Sequence, residues 1–308
     1  MNDFLARIVS DDVLKELRTG GKYDKNKLKF FISFDDPFIP VEFAVAAYRL
    51  GHSMVRPGYR LNDATLLPIF PISTNDKPGF PEGLTGFRKM ITDWGIDWGR
   101  FIDIDLRDYG IDPDTLKPGE KLSDKQAREN FLRLQFAYKL DTSLVDPLGR
   151  LPEVVAGNKP LSLALRNLMR GVSFLLPSGQ DIARAMGAPV LDDKDILIGK
   201  ASHDPADTLT PIDKIANGAF KNKCPLWTYI LAEAMSHEQN PAPDIPAKGG
   251  KPLSTPQLGP VGGRIVAEVF LGLMFADKFS YLSAEPNWTP KSGANYQLKD
   301  FVKFALGL

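Results

Sequence analysis

The stretch Val41-Glu-Phe-Ala-Val-Ala-Ala-Tyr-Arg-Leu-Gly-His-Ser-Met-Val-Arg56 constrains this chain more than any other. Its apolar residues recur at helical spacing, Pro40 stands at the first turn and Pro57-Gly58 follows the last. One continuous helix is therefore expected. Val45, Arg49, His52 and Arg56 then share a face. A neutral imidazole between guanidiniums suits a metal centre that carries carboxylates. The chain has only three histidines, so the position of this one carries weight. The bland alternative is a histidine near a helix C-terminus, where positive charge is welcome, and spacing alone does not exclude it.

Helical periodicity dominates elsewhere, while strand alternation is scarce. Ser123 to Leu140 forms an amphipathic pattern with Ser123 as cap. Asn158 is placed to cap a helix from Lys159 to Arg170, with Gly171 just past its end. Ser178 and Asp181 approximate a capping box for Gly179–Met186, which Gly187 and Pro189 end. Pro225 opens a helix to His237, and Pro260 opens a strongly apolar one through Phe275. Ser292 or Asn295 starts a last helix that ends near Leu306. Leu84 to Trp94 fits a short helix. Tyr59 to Pro81 reads as loop, and so does the Pro-rich run Asn240 to Leu258. The expectation is an all-α fold: an irregular multi-helix domain with long loops, occupying residues 1–308 as a single unit.

Composition narrows the function classes. Hydrophobic residues make up 43% of 308, enough for a substantial core. Lys+Arg and Asp+Glu are both 38, so no charge excess points to nucleic acid or an anionic membrane. The single cysteine, Cys224, allows no intrachain disulfide and no Cys/His zinc pattern, and reads as a small buried apolar residue. The opening Met1-Asn-Asp-Phe-Leu-Ala-Arg has acids at once and no apolar core, so no signal peptide is expected. The longest apolar run, Ile265 to Ala276, contains Glu268 and falls short of the ~20 residues that span a bilayer. A soluble chain is expected, and the compartment stays open.

One functional reading makes His52 an axial iron ligand, with an arginine reaching a haem carboxylate. Such a histidine needs its other nitrogen held by a partner. Ser162-Leu-Ala-Leu-Arg-Asn-Leu-Met-Arg-Gly171 places Asn167 and Arg170 in an apolar helix, and an amide among leucines calls for a buried partner. Local pairing of Asn167 with backbone is the competing reading.

Glu42-Phe-Ala-Val-Ala-Ala-Tyr-Arg-Leu-Gly-His52 resembles the proximal-histidine motif of the animal-type (myeloperoxidase- and peroxidasin-like) haem peroxidase superfamily, its bacterial members above all. Arg166-Asn-Leu-Met-Arg-Gly171 followed by Leu176-Pro-Ser-Gly-Gln-Asp-Ile-Ala-Arg-Ala-Met-Gly187 is similar to the later segment of that family, which carries the asparagine bonded to the proximal histidine. Leu258-Gly-Pro-Val-Gly-Gly-Arg-Ile-Val-Ala-Glu-Val-Phe270 resembles its C-terminal helix. Three motifs in order, spanning most of the chain, make the resemblance specific. It implies a haem peroxidase-like domain with His52 as fifth iron ligand and Asn167 accepting from its protonated nitrogen. Arg49 would meet a haem propionate, and Arg170 would lie near the haem. Glu268 is read as structural. The implied cofactor is haem, b-type or modified, with its linkage open. The implied substrates are hydrogen peroxide and a small electron donor. Family members are often exported.

The resemblance also marks what is missing. Peroxide cleavage needs a distal base to move a proton between the two oxygens. The family's distal histidine and arginine lie N-terminal to the proximal motif, and the 51 residues before His52 contain no histidine. Met1-Asn-Asp-Phe-Leu-Ala-Arg-Ile-Val resembles the end of a helix that follows the distal half. His203 and His237 are read as surface residues. Phe101-Ile-Asp-Ile-Asp-Leu106 superficially resembles the family's distal phrase, but it follows His52, carries Ile104 in place of histidine, and is taken as coincidence. Four readings stay open. The first is a haem peroxidase, weak or inactive as this chain alone. The second is an impaired haem-binding fragment or split half, whose partner is an N-terminal part or a second copy. The third is a fatty-acid oxygenase of the same superfamily. The last is a helical interaction scaffold. The fragment reading also predicts apolar surface that promotes association.

Overall fold

A computed structural model of the chain describes residues 2–71, 83–84, 91–102, 104, 119, 121, 123–124, 134–157, 159–201, 206–239, 255–290, 293 and 296–308. The expected helix at Leu84–Trp94, the first half of Ser123–Leu140, Asn158, His203 and most of the Asn240–Leu258 run lie largely or wholly outside these residues. Helices dominate, as the periodicity predicts. Strands among the described residues occur as four short antiparallel pairs. No helix among them is long and apolar enough to cross a membrane.

Two compact units divide the chain. The larger holds Met1–Val55, Tyr138–Asn240 and Ser254–Ala294, and the smaller holds Arg56–Ala137, Pro241–Leu253 and Asn295–Leu308. In the larger unit the helices are α1 (Asn2–Ile8), α2 (Asp11–Glu16), α3 (Gly51–Met54), α4 (Leu163–Ser173), α5 (Gly179–Met186), α6 (Leu226–Met235) and α7 (Pro260–Ala276), with further single turns. Leu5, Val9, Leu14, Phe43, Ala47, Leu226, Ile230, Val261 and Val266 belong to one buried cluster. Cys224 is buried in it too, as expected, and burial pushes its thiol pKa up.

Helix α5 starts and stops where its sequence signals do. Ser178 Oγ accepts from Asp181 N at 3.1 Å, and Gly187 closes the helix in the left-handed region. Helix α6 spends few polar groups, and its Glu233 is buried. That carboxylate accepts from Val261 N and Gly262 N at 3.1 and 3.0 Å, so α6 satisfies the free N–H groups at the start of α7. Burial pushes the Glu233 carboxyl above its usual range, against the pull of those two backbone donors.

The Val41–Arg56 stretch is helical but not one α-helix. Glu42–Ala46 is a π-turn, Ala47–Leu50 is a 3-10 turn, and α3 ends at Met54, which leaves Arg56 beyond the helix. The cause lies in Phe43 and Tyr48, whose rings stack at 5.0 Å. Residues five apart point away from each other on an α-helix, and a π-turn aligns them. Phe270 of α7 packs edge-on to Phe43 at 5.7 Å and completes the aromatic cluster.

Helix α4 begins later than expected. Pro160 disfavours helix in the residue before it, so the cap is Ser162, whose hydroxyl accepts from Leu165 N at 3.3 Å. The helix also runs through Gly171 and ends at Phe174, with Leu175 rather than a glycine taking φ +51°. It is held there by Leu176 N donating to Gly171 O at 3.0 Å.

The smaller unit contains a hairpin, Gly58–Arg60 with Leu66–Pro68, in what reads as loop, and helix α8 (Leu298–Leu306). Helix α8 begins two to three residues after the expected start because Gln297 and Asp300 form its capping box. Leu134–Lys139 is not helical. Its backbone is used elsewhere: Gln135 N donates to Arg100 O at 2.8 Å, and the Gln135 amide brackets the Arg60 backbone at 2.7 and 2.6 Å. Amphipathic spacing there loses to these longer-range bonds.

Candidate haem-type site

The 3-10 turn before α3 sets the geometry of the candidate site. With three residues per turn, side chains three apart eclipse, so Arg49 and His52 project along one side, toward α4. The turn is pinned from below by Trp227 of α6, whose indole Nε1 donates to Arg49 O at 3.3 Å. Helix α4 packs against the π-turn and against α6, which presents Asn167 to both residues.

Asn167 is 1% exposed, and its amide is fully engaged with these two side chains. Nδ2 lies 2.9 Å from His52 Nδ1, and Oδ1 accepts from Arg49 Nη1 at 3.0 Å. The buried amide thus finds tertiary partners rather than local backbone. His52 is half-buried and its Nε2 has no hydrogen-bond partner among the described residues. Arg170 is exposed, with its guanidinium 4.9 Å from the centre of the Phe174 ring. It is close enough that its charge, after burial, is the second cause lowering the Arg49 pKa. Neither Arg49 nor Arg170 meets a carboxylate among the described residues. Buried Arg49 Nε and Arg166 Nη1 also lack partners.

The sequence-chosen residues Arg49, His52, Asn167 and Arg170 therefore converge on one place, while Arg56 and Val45 do not join them. Sequence reasoning missed Trp227 and Arg166. Arg166 sits four residues from Arg170, a spacing that marks a shared helix face; nothing in the sequence singles out Trp227. Among the described residues no group of three or more His, Cys, Asp or Glu could hold a metal ion by itself. Haem iron needs only one or two side chains, because the porphyrin supplies the other ligands.

Burial first, and the Arg49 charge second, pull the His52 pKa below its ordinary 6.5. Because the folded value lies below the unfolded one, neutral His52 contributes stability above about pH 6.5 that is lost as pH falls through the folded value. In protein without added metal, unfolding free energy is expected to drop between pH 7 and 5 more steeply for the wild type than for His52→Gln. Equal slopes in denaturant titrations would remove His52 from that dependence.

His237, read from sequence as a surface residue, is half-buried instead. Its Nδ1 lies 2.9 Å from Glu233 O, at the end of α6. Glu268 has the structural role expected of it: it accepts from Arg264 Nη1 at 3.0 Å and from Phe30 N and Phe31 N at 2.7 and 3.1 Å.

No family model matches the chain, and no curated protein matches its sequence. Solved structures that match include peroxidase A from Dictyostelium discoideum, with a TM-score of 0.44 and 17% identity over 85% of this chain and 40% of that one. This chain thus spans well under half the length of that peroxidase, and a likeness of this size carries no assignment by itself.

Proposed function

We propose that this chain binds haem and belongs to the peroxidase-type oxidoreductases, with His52 as the axial iron ligand. The observation that carries this reading is the 2.9 Å contact that fixes His52 Nδ1 on Asn167 and leaves Nε2 without a partner. A ligating histidine needs that arrangement of a held inner nitrogen and an outward one. The residues around it fit the group. Arg49 and Arg170 face one another without an acid, and Arg49 Nε is buried without a partner. Two haem carboxylates would satisfy both guanidiniums through charge-assisted hydrogen bonds. The three sequence motifs support the same family.

Bound haem would supply the reaction with peroxide and the oxidation of a small donor. The described residues would bind it, orient the ligand and hold its carboxylates. They offer no second histidine for the peroxide proton, because His237 Nδ1 is occupied by the Glu233 carbonyl. Losing such a base costs about 10²- to 10⁴-fold. That supports a second reading, an impaired haem-binding fragment or half-site. Its proposed partner is an N-terminal part carrying the base, or a second copy of the chain.

Hemin titration of the purified chain tests the reading. A Soret band saturating at one hemin per chain is expected. Hemin dimethyl ester, which lacks the carboxylates, is expected to bind at least about tenfold more weakly, the equivalent of about 1.4 kcal/mol. No hemin binding at all would defeat the reading, and equal affinity for the ester would remove Arg49 and Arg170 from it.

A further inference from the structure

We infer that Asn167 locks His52 in the tautomer that cannot bind iron, and that ligation requires the Asn167 amide to turn over and release Arg49. The ligation half of this inference rests on the proposed haem function; the lock itself does not.

The two ends of an amide are usually assigned rather than observed, but here the neighbours decide. A guanidinium carries only donors, so the Asn167 atom 3.0 Å from Arg49 Nη1 must be the oxygen. The amide nitrogen therefore faces His52 Nδ1 at 2.9 Å. An amide NH₂ only donates, so Nδ1 must present its lone pair. The imidazole proton then sits on Nε2, the outward nitrogen. In this state the nitrogen that would meet a metal has no lone pair to give.

Ligation needs the reverse. Nε2 must be bare, so Nδ1 must carry the proton and find an acceptor. Rotating the Asn167 amide by half a turn brings Oδ1 to Nδ1–H and satisfies it. The same rotation turns Nδ2 toward Arg49 Nη1, donor against donor. Arg49 must then leave, and the acceptor it needs is an anion. A carboxylate that draws Arg49 away thus frees the amide that arms His52. Arg49 is a positioning residue in this scheme, acting on His52 through Asn167, and the coupling favours a ligand that brings a metal and a carboxylate together over a metal alone.

The test is the tautomer of His52, read by long-range ¹H–¹⁵N correlation on metal-free, histidine-labelled full-length chain, with His52 assigned by the loss of its signals in His52→Gln. Wild type is expected to show protonated Nε2 and bare Nδ1. In Asn167→Asp the carboxylate accepts from both neighbours, so His52 is expected to shift to protonated Nδ1. In Arg49→Met the amide is released and His52 is expected to move toward the same form. Zinc protoporphyrin, which is diamagnetic, should switch the wild type to protonated Nδ1 on binding. Protonated Nδ1 in the metal-free wild type would overturn the lock. A bound porphyrin with His52 unswitched would overturn the coupling. Failure of porphyrin to bind wild type and both variants would instead strike the haem reading, while the metal-free spectra would still decide the lock.

Discussion

His52→Ala is expected to weaken hemin binding by at least about 100-fold, roughly 2.7 kcal/mol, and to shift whatever Soret band remains. The size follows from how little else at the site can hold iron. Arg49 and Arg170 are cations, and Asn167 is committed to Arg49 and His52 at 3.0 and 2.9 Å. The remaining contacts grip the periphery of the group rather than its metal. His52→Gly adds a sharper measurement. It empties a slot whose floor is fixed by the Trp227–Arg49 bond and whose wall is the Asn167 amide. Added imidazole is expected to enter that slot and restore the wild-type Soret position. Rescue should fail in the double variant with Asn167→Leu, since nothing would then orient the added ring. Binding indifferent to His52→Ala, or a Soret band that ignores imidazole, would end the assignment of this residue.

The second large effect concerns stability. Glu268→Ala should cost about 3–5 kcal/mol, the range seen when one partner of a buried charge pair is removed. Glu268 is 1% exposed and Arg264 7% exposed. One carboxylate oxygen takes both Phe30 N and Phe31 N, and the other takes Arg264 Nη1. Truncation would leave two backbone donors and part of a guanidinium unpaired in the interior. Arg264 also reaches Glu16, but that carboxylate is mostly exposed and screened. Urea unfolding followed by tryptophan fluorescence measures the loss. Glu285→Ala, at an exposed position, should stay within about 0.5 kcal/mol as the control. A Glu268→Ala midpoint near the wild type would mean that this network does not hold the Phe30–Phe31 segment to α7.

Much of the candidate site is legible in sequence because its signals are local and unusual. A histidine beside arginines and an amide among leucines are rare enough in apolar helices to demand partners, and the structure places those side chains against each other. Helix starts set by Ser178, Pro225 and Pro260 are legible for the same reason. Other features depend on contacts no window contains. The π-turn answers to Phe43, Tyr48 and Phe270, which stack only after α7 has packed. Leu134–Lys139 leaves its helical pattern because Arg60 and Arg100, distant in sequence, take its hydrogen bonds. Trp227 matters through the carbonyl of a residue 178 positions away. Even Asn167 is legible only as needing a partner; its two-sided bond, and the tautomer that bond imposes, appear with the side-chain geometry.

The π-turn at Glu42–Ala46 makes chain length part of the chemistry. It accommodates one residue more than an α-helical turn would, and everything after it is rotated accordingly. Deleting a single alanine there would let the segment relax into a regular helix, and each residue of an α-helix turns by about 100°. Arg49 and His52 would swing together away from α4, still helical, still apolar-backed, and out of reach of Asn167. Substitutions in this stretch change a side chain at a time, whereas a one-residue change of length would dismantle the whole arrangement while leaving every residue of the motif in place.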